Sequence, residues 1–495
     1  MENIMYLLDG FSTIMDWQCI VLCLCGILGG MIVGALPGMG ADAGVAILLP
    51  ICYGMKPLNA LVMLCGLYYG AMFGGAITSI LLNVPGTSAA VVTAWEGNKL
   101  AKKGRGGEAL GVAATSSFIG GLAGTVALTL FAPQLAKYAL KFGPAEMFLI
   151  MILAFLMISG VTEGSRAKSF ASLAVGLLFS CVGLDSFSGS VRLAFGSIHL
   201  YDGISSVVAI LGFFALTEIL AKQGAATAEK QQTERKRLLP TAKEMKQRFP
   251  SITRGSVVGF LTGIMPGSGG TTATFFAYGV EKKFSKRSAE IGHGSIDAVA
   301  AAEAANNSCA AGAMIPMMSL SIPGSATTAV LLSGFIMFGL EPGPQLFAKE
   351  SKLAWGIIAS LYLALFILLF LNLYCVKYFL FLVEKATPFT GPLVASAMIA
   401  GVYSLNNATK DIWLLILCGV LGYVFNKLKY PMVPALLGLV LGRSVEKNLR
   451  RALTISHGSL LDFFTKPLCV VFIIIGIAIM IVPPIMSAIK KNKKT

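Results

Sequence analysis

Four Pro-Gly steps lie in apolar surroundings: Gly34-Ala-Leu-Pro-Gly-Met-Gly40, Asn83-Val-Pro-Gly-Thr-Ser-Ala89, Gly263-Ile-Met-Pro-Gly-Ser-Gly269 and Ser321-Ile-Pro-Gly-Ser-Ala-Thr327. Proline lacks an N–H and glycine tolerates positive φ, so such a step breaks a membrane helix and frees its backbone polar groups. In hydrocarbon those groups must be satisfied by protein, water or solute. One end of a broken helix then offers N–H donors to a carboxylate, and the carbonyls of the opposite end can hold a cation.

Hydroxyl and amide side chains beside the breaks complete either shell. Asn83, Pro85, Gly86, Thr87 and Ser88 form one candidate solute-binding group, and Ser321, Pro323, Gly324, Ser325 and Thr327 its counterpart, with Thr328 alongside. Gly38, Gly40 and Asp42 at the first step, with Gly267, Ser268, Gly269, Thr271 and Thr272 at the third, are the candidates for ion coupling. Asn306 and Asn307 join the solute set, because amides are costly to bury unpaired and must bond to a broken helix or to a solute. Replacing Asn83, Thr272 or Ser325 by alanine is expected to abolish uptake while leaving membrane insertion intact.

Carboxylates inside apolar segments are expensive and are functional candidates by default. Asp42 either helps bind a cation or carry a proton, or caps the helix that follows. Asp297 and Glu303 share an Ala-rich helix with a six-residue spacing that places them on different faces, so at least one is expected to serve packing or an interfacial ion pair.

The elements holding these residues are membrane helices. The 495-residue chain is 56% hydrophobic and 13% charged, against roughly 25% charged in soluble domains, and its mean hydropathy is +0.77. Runs approaching the roughly 20 apolar residues that span a bilayer recur from Trp17 to Leu36, Ile204 to Leu220, Leu353 to Leu373 and Leu468 to Ile481. The net charge of +15 sits in short clusters between these runs, which fits cytoplasmic loops better than nucleic-acid binding. The ten cysteines are mostly embedded in apolar segments and lack CxxC spacing or neighbours among His199, His293 and His457, which argues against metal and disulfide roles. No P-loop signature is present, so ATP is not expected as the direct energy source. Glu2, Asp9 and Asp16 precede the first apolar run in place of a basic stretch, and no cleaved signal peptide is expected.

The chain also repeats itself. The first Pro-Gly step matches the third and the second matches the fourth, in the same order, with the polar stretch Gln223 to Arg254 between the copies. After the first step the chain reaches the nearly neutral Ile47 to Lys56, whereas after the third it reaches Glu281-Lys-Lys-Phe-Ser-Lys-Arg287. After the second come Lys99, Lys102, Lys103 and Arg105, whereas after the fourth comes Phe338 to Phe347, which holds a single acid and no base. Matched loops therefore belong on opposite sides under the positive-inside rule. The expectation is an all-α polytopic membrane protein with about 11–14 membrane segments in two inverted-topology repeats, whose Pro-Gly-broken helices are re-entrant or discontinuous. Residues 1–222 form the first membrane repeat, 223–253 a basic cytoplasmic linker, and 254–495 the second repeat with a cytoplasmic tail ending in Lys490 to Lys494. The acidic N-terminus is expected outside.

These segments resemble the large membrane subunit of the tripartite tricarboxylate transporters. The resemblance is carried by Gly34 to Pro50, Gly74 to Gly111, Gly263 to Lys283 and Gly294 to Gly324, most recognisably by Leu81-Leu-Asn-Val-Pro-Gly-Thr-Ser88, Leu100 to Gly111, Tyr278-Gly-Val-Glu-Lys282, Glu303-Ala-Ala-Asn-Asn307 and Ser321-Ile-Pro-Gly324. The chain departs from the pattern at Ala41-Asp-Ala-Gly44 and at Trp95-Glu-Gly97, where the family carries an aromatic-Asp-Gly. The resemblance implies a permease of the bacterial inner membrane, without enzymatic activity or resident cofactor. Its partners would be a small four-helix membrane subunit and a periplasmic solute-binding protein, and its solutes small carboxylates driven by a sodium or proton gradient. A permease of the tripartite ATP-independent type, or a channel for another small anion, is the alternative; an intramembrane aspartyl protease is disfavoured because a second aspartate in the proper context is missing.

Overall fold

The computed structural model describes residues 2–36, 39–161, 165–185, 187–221, 240–376, 378–379, 381 and 390–492. The chain is an all-α polytopic membrane protein. Its first part comprises α1 (Glu2–Ile14), α2 (Trp17–Ala35), α3 (Ala41–Ile51), α4 (Pro57–Leu82), α5 (Val91–Leu100), α6 (Gly106–Ala139), α7 (Pro144–Val161) and α8 (Arg166–Ser180). A two-residue antiparallel pairing, Gly183–Leu184 with Val191–Arg192, precedes α9 (Ser206–Ile210) and α10 (Thr217–Ala221), which are joined by the π-helical Leu211–Leu216. The later part holds α11 (Ala242–Ile264), α12 (Gly269–Phe284), α13 (Ile296–Leu320), α14 (Ala326–Met337), α15 (Pro344–Lys349) and α16 (Ser351–Tyr374), then helices Thr390–Asn406, Thr409–Lys427, Met432–Ile455, Asp462–Thr465 and Pro467–Asn492.

Among the described residues five helices are long and apolar enough to cross a membrane: Trp17–Ala35, Pro57–Leu82, Ser88–Ala139, Ser351–Tyr374 and Thr409–Lys427. Shorter apolar helices, among them Ala41–Ile51 and Ala326–Met337, follow the breaks. Helix α13 is absent from the five because its acids and amides lower its hydropathy, yet every residue from Ile296 to Ser319 is buried. It is a helix solvated by protein, which is why alanine suffices where a lipid-facing helix needs leucine. Large apolar side chains such as Phe131, Phe366, Phe370 and Trp413 instead point outward from the bundle.

Small residues decide which helices touch. Gly26, Gly30 and Gly34 recur every four residues and so share one face of α2. At each of them a Cβ would run into the backbone carbonyl of Met63, Leu67 or Ala71 in turn, so α2 and α4 pack backbone to backbone and run parallel. The same device recurs where Gly255, Gly259 and Gly263 of α11 lie on the carbonyls of Ala301, Ala305 and Cys309 of α13. The helix ends match too. α2 and α11 stop on extended residues, Leu36 (φ −77°, ψ 122°) and Met265 (φ −76°, ψ 119°). α4 and α13 stop on left-handed residues, Asn83 (φ 56°) and Ser321 (φ 61°).

After each extended stop the chain turns back. Gly44 of α3 packs on Val33 and Leu67, and Leu49 reaches the level of Leu61 and Leu64, so α3 runs against α4. In the other hairpin α12 starts beside Asn306 and ends with Glu281 bonded to Ser251 and Arg254 in the middle of α11, level with the start of α13. The α2–α3 hairpin is thus based at the starting end of α4, and the α11–α12 hairpin at the starting end of α13. These ends are opposite: Asn98 bonds the carbonyl of Ile80 late in α4, while its neighbour Glu96 accepts from Gly294 and Ser295 just before α13.

Residues 223–239 of the expected linker lie outside the described residues. Residues 242–253 are helical and form the first half of α11, opened by a reciprocal cap in which Thr241 and Glu244 bond each other's backbone N–H. A sequence boundary at 253 followed charge, and the structure continues because a capped helix can begin in water and enter the bundle without interruption.

Candidate functional site

The tip of the α11–α12 hairpin lies against both later breaks. The Gly267 N–H donates to the carbonyl of Gly324 at 3.0 Å. Ser268, buried, donates its hydroxyl to the carbonyls of Met265 and Thr262, which ties the frayed end of α11. Gly269 sits at φ 61°, a conformation that an L side chain would strain, and a Cβ built there would lie 3.9 Å from the Ser325 side chain. The Thr271 hydroxyl donates to Ser88 at 2.8 Å, joining the first turn of α12 to the break after α4. Ser325 and Thr328 form a reciprocal N-terminal cap on α14, each side chain serving the other's backbone N–H. Residues from the second, third and fourth Pro-Gly motifs therefore meet in one place.

Asn306 faces this place. It is 1% exposed, and neither its Oδ1 nor its Nδ2 has a hydrogen-bond partner among the described residues. A Cβ on Gly270 would come within 2.7 Å of Asn306 Oδ1 and 3.1 Å of Ala89, so glycine lets the start of α12 close over the amide. A donor and an acceptor buried without partners cost about 1–3 kcal/mol each, which a site for a polar ligand offsets when filled. Asn307 sits differently: its Nδ2 donates to the carbonyl of Glu303 at 3.1 Å along its own helix, and its Oδ1 has no partner among the described residues.

Other expected site residues hold the frame. Asn83 is exposed and closes α4 in the left-handed conformation, and Ser321 does the same for α13 while its hydroxyl donates to Pro342. Gly86 and Gly324 rest on the carbonyls of Gly34 and Gly263, each break leaning on the preceding hairpin arm. Pro85 and Pro323 precede these contacts and fix the turn. Thr87 is buried beside Gly75 with its hydroxyl unpartnered, Thr327 is buried, and Thr272 is half-buried on α12. Gly38 lies outside the described residues. Gly40 is the extended residue before α3, and Asp42 stands in the first turn of that helix with its carboxyl folded back toward Gly40, where an acid favours the helix N-terminus.

Two acids found their partners across the fold. Asp297 pairs with Arg248 at 3.3 Å and Arg287 at 3.8 Å, the interfacial ion pair expected of one member of its helix. Glu281, fully buried, holds Arg254 at 2.8 Å and Ser251 at 2.8 Å.

Glu96 escaped the sequence reading. It is fully buried, and its carboxylate accepts from the N–H groups of Gly292 (2.5 Å), Gly294 (2.8 Å) and Ser295 (2.8 Å) and from the Tyr278 hydroxyl (2.7 Å). Lys99 and Lys103 donate to the carbonyls of Gly292 and His293, both at 2.6 Å. The kinked π-helical turn Ala101–Arg105, which joins α5 to α6, and the 285–295 loop thus lie on one side of the molecule, stitched together. The one sequence signal was an acid following Trp95 in α5, paired with Gly292 and Gly294 in a loop that leaves its amides bare.

Residues 20–437 match the tripartite tricarboxylate transporter TctA family. An uncharacterised 52.8 kDa protein from the TAR-I ttuC' 3' region of Agrobacterium vitis is 37% identical over 495 residues, covering 100% of this chain and 99% of its own length. A second protein of that organism, from the TAR-II ttuC' 3' region, is 37% identical over 223 residues, 45% of this chain and 92% of its own. No solved structure matches.

Proposed function

Because the chain belongs to the tripartite tricarboxylate transporter TctA family, we propose that it is the large membrane subunit through which small carboxylates enter a bacterial cell across the inner membrane. A periplasmic binding protein delivers the solute, a small four-helix membrane subunit completes the assembly, and a cation gradient, of sodium or protons, drives the step. Membership of this family favours it over the tripartite ATP-independent permeases.

The Asn306 carboxamide carries this reading. Buried with both polar atoms free at the start of α12, it offers one N–H₂ donor beside the N-terminus of a helix, where a carboxylate is favoured. Ser88 and Thr271 add hydroxyls at 2.8 Å from each other on the neighbouring wall. The two hairpins, based at opposite ends of the bundle, support alternating access between inverted repeats around this central place. The basic 99–105 and 285–295 segments share one side, which the positive-inside rule assigns to the cytoplasm together with the C-terminus. Binding of labelled citrate to the purified assembly, measured for wild type and Asn306→Ala, tests the assignment: a loss of about tenfold or more in affinity is expected from one hydrogen bond to a charged group, and equal affinity removes Asn306 from the site.

A further inference from the structure

Glu303 has no place in the solute site just described, yet its surroundings are unusual for a carboxyl. It is 1% exposed, three residues before Asn306 on a helix buried along its length. Thr93 of α5 donates to its Oε1 at 2.5 Å and Ser117 of α6 to its Oε2 at 2.9 Å. Among the described residues it enters no ion pair. The buried charges on the packed elements are engaged elsewhere, and Lys137 of α6, Lys243 and Lys246 of α11, Lys282 and Lys283 of α12 and Lys349 of α15 are exposed. On its own helix, Asp297 is held by Arg248 of α11 and by Arg287. On α12, Glu281 is held by Arg254 of α11. On α5, Glu96 is held by backbone amides and Tyr278, and Lys99 by Gly292. On α6, Glu108 is held by Arg105 at the helix start. α4 contributes only the neutral groups of Cys65, Tyr68 and Tyr69, and α13 itself Cys309.

An ionised carboxylate stripped of water with no cation beside it costs far more than two hydroxyls return, so the resting form must be neutralised by a bound ion. A metal ion of calcium's size collects about six to eight oxygens at 2.3–2.6 Å. Here both carboxyl oxygens already lie at hydrogen-bond distance from hydroxyls, and a carboxylic acid fits this place with the Thr93 contact turned round: Oε1 carries the proton and donates it to the Thr93 hydroxyl, while Oε2 still accepts from Ser117.

Resting on the transport reading above, we propose that Glu303 is the proton-coupling site: it holds a proton in the arrangement seen here and releases it when α5 or α6 moves away from α13. Its position links the two halves of a cycle. One turn further along α13 lies Asn306 at the solute site, and two turns back lies Ser295, clasped by Glu96 on the loop side. Thr93 follows Ser88 by little more than one turn, so a solute that displaces the Ser88–Thr271 contact pulls directly on the helix that holds the proton.

The test uses the full assembly in proteoliposomes with labelled citrate and succinate. An inward proton gradient of one pH unit is expected to sustain about tenfold accumulation in the wild type, the equilibrium limit for one proton per solute. Glu303→Gln, which mimics the protonated acid, is expected to lose that accumulation while still exchanging internal for external solute; Glu303→Asp checks that the position tolerates change. Glu303→Gln with wild-type proton-driven accumulation overturns the proposal, and so does uptake that follows sodium alone and is lost in the same variant, which would put a metal cation on this carboxyl. Infrared difference spectra of the purified subunit, wild type minus Glu303→Gln, decide the proton separately. The carboxyl band should titrate between roughly pH 5 and pH 9, and a band fixed across that range overturns the site even where transport succeeds. If the wild type takes up neither acid, the transport reading fails and the titration alone judges Glu303.

Discussion

Replacing Glu96 by glutamine should open the seam between the 99–105 and 285–295 segments while the rest of the bundle stays folded. The carboxylate satisfies three backbone N–H groups and one phenol. In the amide, Oε1 can still accept from Gly292 and Tyr278, but an NH₂ group now faces the N–H groups of Gly294 and Ser295. Two buried donors lose their acceptor at about 1–3 kcal/mol each, so the local cost is about 2–6 kcal/mol. Each 1.4 kcal/mol is tenfold in an opening equilibrium, so amide exchange in the 288–298 segment should quicken by at least about thirtyfold. Hydrogen exchange read by mass spectrometry on the purified protein measures this. Unchanged exchange in that segment would refute the reasoning, as would a uniform acceleration over α4 and α13, which would mean global unfolding in place of a local latch. Glu96→Asp, which restores an aromatic-Asp-Gly, should lie between the two because the shorter arm reaches fewer of the same donors.

Three further outcomes follow from the geometry. Gly86→Ala drives a methyl group into the Gly34 carbonyl, so about 1–3 kcal/mol or more of overpacking should appear as a lower melting temperature and a poorer yield of monodisperse protein; Gly29→Ala, where nothing stands within 4 Å, should be silent in the same assay. Arg254→Ala leaves the fully buried Glu281 without its cation and should destabilise by about 3 kcal/mol in reversible detergent unfolding, the low end for a broken buried pair because Arg254 is partly exposed. The Asp185 carboxyl is held below the ordinary carboxylate range, chiefly by the Ser188 hydroxyl, then by the Phe187 N–H, with the Arg450 guanidinium adding to both. Its contribution is therefore complete above about pH 3.9 and is lost only as pH falls through the lowered value. Exchange protection of the 183–192 turn should be flat from neutral pH down to about 5 and fall only in stronger acid, whereas a decline near neutrality would contradict the assignment.

Sequence and structure agree where the signal is local and chemical. The Pro-Gly steps announce helix breaks because proline and glycine act on their own backbone, and the amide of Asn306 announces a polar group that burial leaves in need of a partner. The packing of the two hairpins rests on Gly26, Gly30 and Gly34 and on Gly255, Gly259 and Gly263, a spacing present in the sequence but silent about which helix each face meets. Asn83 and Ser321 read as ligands, yet their first task is to end a helix in the left-handed conformation, which follows from the turn that comes after and not from residue type. Glu96 was the least legible: three of its four partners are backbone amides some two hundred residues away, and the glycines that bare those amides do not say which side chain they receive. At residue 253 charge set the expected edge of the linker, whereas α11 runs through that position without a break.

Uptake of labelled di- and tricarboxylates into proteoliposomes holding this subunit, its small membrane partner and its binding protein, with and without an imposed cation gradient, tests the central claim most directly. The account predicts saturable uptake of at least one carboxylate that requires the gradient and is lost in Asn306→Ala. Uptake that persists after every ion gradient has collapsed, or that Asn306→Ala leaves untouched, would contradict it.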